Sequence, residues 1–222
     1  MIVKGGNIFY YFIFSVIALV IALLRKDLRK EMLWAGLLSL PVLLIKPLIS
    51  NDFFNVANQN SGIFWFMLQR AIIGFSFGAL ASAIYESVFH KRISPQRHPH
   101  RPKMIWLALG IVVFFAFYFL IRTSFVESVI AALVYDIVIL LIIRKDLVWD
   151  LIFSGAMLGT LYLIIFSALF RGIPGDSANF WFSTGSIGLT LFSIPVEELI
   201  AVMLFGALWG PLYIAFKDLK EK

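Results

Sequence analysis

Two adjacent glutamates, Glu197 and Glu198, stand inside the last long apolar stretch of this chain, directly behind Pro195 and Val196. Leu189, Thr190, Leu191 and Phe192 precede them, and Leu199, Ile200, Ala201 and Val202 follow. A charged residue near the centre of a bilayer costs about 2.5–3.5 kcal/mol on insertion scales, so carboxyl groups held there mark a function or a polar brace. Paired carboxyls can divide acid–base work, one staying neutral in apolar surroundings to give a proton and the other staying ionised to take one. The structural alternative is a hydrogen-bonded pair that glues this segment to its neighbours. On one helix running through Pro195, neighbouring residues point about 100° apart. Glu197 then shares a face with Ser186, Thr190, Ser193 and Ala201, which is small and partly polar. Glu198 shares one with Leu191, Ile194, Val202, Phe205 and Trp209, which is apolar and aromatic. This assigns the acid to Glu198 and the base or anchor to Glu197. Pro195 has no N–H to offer the carbonyl of Leu191, so a kink is expected there.

Other polar residues in apolar stretches are fewer. Asp136 follows Tyr135 near the middle of its stretch, placed to pair with Arg70 or Lys46 or to accept a proton. Glu86 follows Gly74, Gly78 and Ser82 at four-residue spacing, which is a close-packing stripe with Glu86 reaching toward the headgroups. Gly155 with Gly159, and Gly206 with Gly210, carry the same packing spacing.

These residues need helices in a membrane to hold them. The 222 residues are 61% hydrophobic and only 14% charged, with a mean hydropathy of +0.92, which is not the balance of a soluble domain. Cysteine is absent, which removes disulfides, thiolate metal sites and cysteine nucleophiles. The three histidines, His90, His98 and His100, fall in one polar loop, so no metal site and no cofactor is expected in the bundle. The net charge of +6 is read as cytoplasmic retention and contact with anionic lipid, and nucleic acid is not an expected partner. The first apolar run leads into Arg25-Lys26-Asp27-Leu28-Arg29-Lys30 and reads as a retained anchor.

Runs of about 20 apolar residues predict an all-α polytopic bundle of seven spans. They are 8–24, 32–50, 63–89, 104–121, 125–143, 148–170 and 185–216. Basic residues concentrate after spans one, three, five and seven, which puts the N-terminus outside and the C-terminus in the cytoplasm of the cell membrane. The chain also repeats itself. Leu24-Arg25-Lys26-Asp27-Leu28 recurs as Ile143-Arg144-Lys145-Asp146-Leu147, 119 residues later, and Glu31 matches Asp150 at that offset. Phe64-Trp65-Phe66 recurs as Phe180-Trp181-Phe182, and Ser61 as Ser177, at an offset of 116. The expected organisation is a single membrane domain with repeat units 8–89 and 125–216. A proline-rich cytoplasmic linker, 90–103, and a linking span, 104–121, join them. One extra span between three-span units makes them parallel, related by an axis along the membrane normal. Asp27 and Asp146, retained beside the same basic pair, point to an ion-pair brace.

A Pro-x-Glu-Glu at the head of a helix, after an aromatic loop, in a chain of duplicated three-span units, resembles the membrane-integral lycopene cyclase domain family. That is the type found as heterodimers in some bacteria and as fused halves in archaea and fungi. Pro195, Glu197 and Glu198 carry the resemblance, with Arg144 and Asp146 as supporting matches. It implies a redox-neutral isomerase that closes the end of a linear carotenoid such as lycopene. An acid protonates a terminal double bond, the cation cyclises, and a base removes a proton. The substrate implied is an apolar polyene or terpenoid lying within the bilayer among lipid, and a homo-oligomer is compatible with it. At the 116 offset the first unit has Ala79-Leu80-Ala81-Ser82 where the second has Pro195-Val196-Glu197-Glu198, so the acidic pair is present once. Two other functions fit the residues: a small proton-coupled transporter using Asp136 and Glu197, and a subunit that binds apolar molecules without catalysis.

Overall fold

The computed structural model describes residues 6–49, 63–89, 93–97, 105–170, 189–192, 194–217 and 219–221. Seven α-helices make up most of them: α1 Gly6–Leu24, α2 Arg29–Ile49, α3 Ile63–Phe89, α4 Ile105–Phe115, α5 Phe125–Ile143, α6 Val148–Phe170 and α7 Val196–Lys217. Four short strands complete the order: β1 Ile93–Arg97 between α3 and α4, β2 Thr190–Leu191 and β3 Ile194–Pro195 before α7, and β4 Leu219–Glu221 after it. The fold is all-α. Among the described residues, four segments are long and apolar enough to cross a membrane: Met67–Phe89, Phe125–Ile143, Lys145–Ala168 and Val196–Phe216. Phe12–Leu24, within α1, and Ala108–Ile121 are shorter apolar stretches among the described residues. Large apolar side chains face outward along these helices, Leu120 being 81% exposed, as expected where lipid is the solvent.

The chain divides into two compact units, Met1–Ala83 and Ile84–Lys222. The division falls inside α3, and α4 goes with the second unit. In the first unit, small residues let α2 and α3 approach closely. A Cβ added at Gly36 would lie 2.9 Å from the carbonyl oxygen of Phe75. One at Gly78 would lie 2.7 Å from the carbonyl oxygen of Ala35 and would collide with the Ser39 hydroxyl. The Ser39 hydroxyl is shared between the carbonyls of Gly36, at 2.7 Å, and Gly74, at 2.6 Å. Ser15 of α1 hydrogen-bonds Ser76 of α3 at 2.8 Å. The Gly74–Gly78 stripe is therefore a packing seam.

In the second unit α4 packs on α5, α5 on α7, and α7 on α6. Glycines again set the α6–α7 approach. A Cβ at Gly155 would lie 2.6 Å from the carbonyl oxygen of Met203, one at Gly159 would collide with the Met203 side chain, and one at Gly206 would lie 3.0 Å from the carbonyl oxygen of Ser154 and 2.8 Å from Leu158 Cβ. Tyr85, near the end of α3, stacks on Phe153 of α6 with ring centroids 5.8 Å apart. Glu86, expected to reach the headgroups, is 2% exposed. It follows the buried stripe inward instead of leaving it, because residues four apart stay on one helix face. β1 pairs antiparallel with β4, Ile93 opposite Glu221 and Arg97 opposite Leu219. Residues 93–97 of the expected linker thus meet the segment that follows α7.

Turns between helices have visible causes. α4 widens into a π-helical turn, Ala116–Ile121, which ends at Arg122 in the left-handed region (φ 61°). α5 then starts with a capping box: Glu127 N–H donates to Ser124 Oγ at 3.2 Å, and Ser124 N–H donates to Glu127 Oε2 at 2.9 Å. The α1–α2 and α5–α6 corners are built alike. Arg25 holds Asp27 through Nε at 3.0 Å and Nη2 at 2.9 Å, and Arg144 holds Asp146 through the same atoms at 2.9 and 2.8 Å. Leu28 and Leu147 are buried beneath them. Glu31 and Asp150, one turn on, are buried as well, at 1% and 4% exposure. The expected brace is present at both corners.

One span differs from its expected form. The stretch 185–216 is not a kinked helix. α7 starts at Val196, and Pro195 closes a hairpin in front of it. Proline biases the residue before it toward extended backbone and lacks the N–H that a helix interior needs, so the chain stays extended through Ile194 and turns helical only beyond Pro195.

Candidate functional site

The hairpin fixes the head of α7. β2 and β3 pair Thr190 with Pro195 and Leu191 with Ile194. Phe192, in the connection, has φ 51°, the backbone sign that tight two-residue hairpin loops demand at their central positions. Ile194 and Pro195 are buried, while Leu189, Leu191 and Phe192 are exposed. The N–H of Val196 donates to the carbonyl of Leu189 at 3.1 Å. α7 is thereby anchored by its first residue, and Glu197 and Glu198 occupy its first turn. Acidic side chains there favour the positive end of the helix dipole, which offsets part of their cost in an apolar bundle.

The two carboxyls have different surroundings. Glu197 is 4% exposed, whereas Glu198 is half-buried. Glu198 Oε1 accepts a hydrogen bond from the Tyr162 hydroxyl of α6 at 3.4 Å. Tyr162 is itself buried and packs on Phe166, with ring centroids 4.4 Å apart. Further along α7, Phe205 and Trp209 stack at 4.2 Å. The expected faces do not run back through Thr190 and Leu191. Thr190 and Leu191 belong to β2, and Ser186 and Ser193 lie outside the described residues. Glu197 is thus the enclosed acid and Glu198 the one that meets a phenol. A half-open carboxyl oriented by a phenol can hand a proton to something in the apolar phase, and a buried neighbour on the same turn can tune or receive it.

Tyr162 was not among the residues singled out by type, yet it carried a signal. It stands seven residues after Gly155 and three after Gly159, which continues the stripe packed on α7.

The remaining candidates are not part of this site. Arg144 and Asp146 sit at the corner that opens α6, and Tyr162 lies 16 residues beyond Asp146. At 1.5 Å per helical residue that is about 20 Å or more along the axis, so they brace the opposite end. Asp136 occupies a separate seam between α4 and α5. Its carboxyl lies against Gly110, where a Cβ would collide with it, and its Oδ1 is buried with no hydrogen-bond partner among the described residues. The group facing Asp136 from α4 is a glycine, and the side chain of Lys46, one of its expected partners, lies outside the described residues. So do His90, His98, His100, Ser177 and the aromatic loop Phe180-Trp181-Phe182. Among the described residues no cluster of three or more metal-ligating side chains is gathered.

No family model matches this chain, and no curated protein or solved structure matches it either.

Proposed function

We propose that this chain is an acid-catalysed cyclase of the lycopene cyclase type, acting on an apolar polyene within the bilayer. The observation that carries it is the Tyr162–Glu198 hydrogen bond at the head of α7, with Glu197 buried on the same turn. Glu198 gives its carboxyl proton to a terminal double bond, which leaves a tertiary cation. A nearby double bond of the chain attacks that cation, and a six-membered ring closes. Glu197 takes the proton lost from the ring, and a double bond forms inside it. One proton enters and one leaves, so the product is an isomer and no redox partner is consumed. Glu198 is the donor because it is the accessible carboxyl; Glu197, enclosed, serves as base or anchor. Tyr162 positions the donor.

In this proposal seven spans cross the cell membrane, with the N-terminus outside and the C-terminus in the cytoplasm. Support for the parity comes from β1 and β4. The segment after α3 pairs with the segment after α7, so both helices end on one side and an even number of crossings lies between them. The repeated corners support the parallel three-span units.

The test is expression in cells that accumulate lycopene or shorter linear carotenoids, with products separated by chromatography and mass. A ring-closed isomer is expected, and its absence with every linear substrate would sink the proposal. A second function is favoured by Asp136, whose buried Oδ1 suits a proton-coupled carrier. Proteoliposomes would then show a proton flux that Asp136→Asn abolishes, and equal flux in both would exclude it.

A further inference from the structure

The glycine contacts set a register between α3 and α7 that the short aromatic match does not. Gly36 faces the carbonyl of Phe75, and Gly155 faces that of Met203. Gly78 faces Ser39 and the carbonyl of Ala35, while Gly206 faces Leu158 and the carbonyl of Ser154. On α2 and α6 the matching residues stand 119 apart, the offset of the repeated corners. On α3 and α7 they stand 128 apart, not 116. Burial agrees: Leu80 and Leu208 are buried, and Ile72 and Ile200 are exposed.

Carried to the head of the helix, this register overturns the pairing of Glu197 and Glu198 with Ala81 and Ser82. Gln69 stands in place of Glu197, and Arg70 in place of Glu198. On the neighbouring helix Leu43 stands in place of Tyr162. The acid, its companion and its phenol are replaced together, so the first unit does not hold a damaged copy of the acid site. At the same glycine-contact register it carries an amide and a cation, Gln69 and Arg70, about two turns into α3 where the glutamates stand in the first turn of α7.

We propose that Gln69 and Arg70 bind a phosphate oxyanion carried by an amphiphile. This rests on the two units being copies, as proposed above. Both side chains are half-buried, with the apolar Leu68, Ala71, Ile72 and Ile73 as their neighbours along α3. A guanidinium presents five N–H donors in a planar fork that matches phosphate in two-point contact, so it can keep neighbours and still take an oxyanion. The Gln69 amide adds two donors on the adjoining face. Low-dielectric surroundings strengthen a charge-assisted bond made there.

The full-length chain in detergent is mixed with phosphatidylglycerol or phosphatidylcholine, and retained lipid is read by native mass spectrometry. One phosphatidylglycerol is expected to remain on the wild type. Arg70→Gln lowers its retention about tenfold or more; Arg70→Lys, which keeps the charge, loses only a few-fold; the exposed control Lys26→Gln matches the wild type. Inorganic phosphate is then titrated in. Displacement of the lipid identifies a site that takes free phosphate, and persistence identifies a lipid headgroup; both uphold the site. Equal retention by wild type and Arg70→Gln overturns it. If Arg70→Gln does not yield a monodisperse protein, Gln69→Ala and Arg70→Lys decide, and unchanged retention in both is again fatal. Retention needs no turnover, so a chain that closes no ring can still show the site, and a chain lacking the site can still close a ring.

Discussion

Replacing Glu198 by Gln and Tyr162 by Phe separates a proton donor from the group that aims it. Glutamine keeps the size of the side chain and removes its acidic proton. If Glu198 is the donor, ring closure falls by the share general acid catalysis supplies, about 10²–10⁴-fold. Phenylalanine keeps the Tyr162 ring and its packing on Phe166 and removes one hydrogen bond. That bond is long, 3.4 Å between oxygens, so its worth lies at the low end for side-chain bonds, about 0.5–1 kcal/mol. At 1.4 kcal/mol per tenfold this is a loss of roughly two- to fivefold. The assay is conversion of a linear carotenoid by membranes carrying each variant, at matched protein level and with detergent-extracted monodispersity as the folding check. Substantial activity in Glu198→Gln refutes the assignment of the donor. Equal loss in both variants refutes the division of labour, because a positioning phenol cannot cost as much as the acid it positions.

Three further outcomes follow from the same geometry. Arg144→Ala costs more stability than Arg25→Ala: Arg144 is 3% exposed and leaves a half-open Asp146 behind, for about 1–3 kcal/mol, whereas the more exposed Arg25 pair is worth about 0.5 kcal/mol. Unfolding by a graded denaturing detergent measures both, and equal shifts contradict the difference in burial. Gly36→Val and Gly155→Val each overpack a helix seam, for about 1–3 kcal/mol, and full tolerance of either shows that its seam is looser than described. Asp136→Asn leaves ring closure within about twofold, since its seam is separate from the glutamates; a loss as large as that of Glu198→Gln would join the two sites.

Helices were legible where apolar length alone decides. Expected spans 63–89, 125–143 and 148–170 coincide with α3, α5 and α6. The start of α7 was not legible by that criterion, because Leu189–Pro195 is as apolar as the helix after it and only the backbone preference around Pro195 separates them. The glutamates were legible as chemistry, since carboxyls are rare in such a run. Their surroundings were not: the faces were drawn on a helix that begins later. Tyr162 was hidden because a tyrosine in an apolar helix is ordinary, and only its place on the Gly155–Gly159 stripe turns it toward α7.

Repeats are read from sequence by identical letters, but helices are registered by where their backbones touch. The aromatic match at 116 sets Phe64-Trp65-Phe66, in the first turn of α3, against residues 180–182, which lie outside the described residues. A glycine pressed on a neighbouring carbonyl cannot drift, because a shift of one residue swings the contact about 100° around the helix. Gly78 and Gly206 therefore set a correspondence of α3 with α7 that differs from the aromatic match. With it, the second unit gains no missing acidic twin, and the first gains a glutamine and an arginine where a carboxyl pair was sought. At one glycine-contact register α7 carries Glu197 and Glu198 and α3 carries Gln69 and Arg70, and that difference is open to test one side chain at a time.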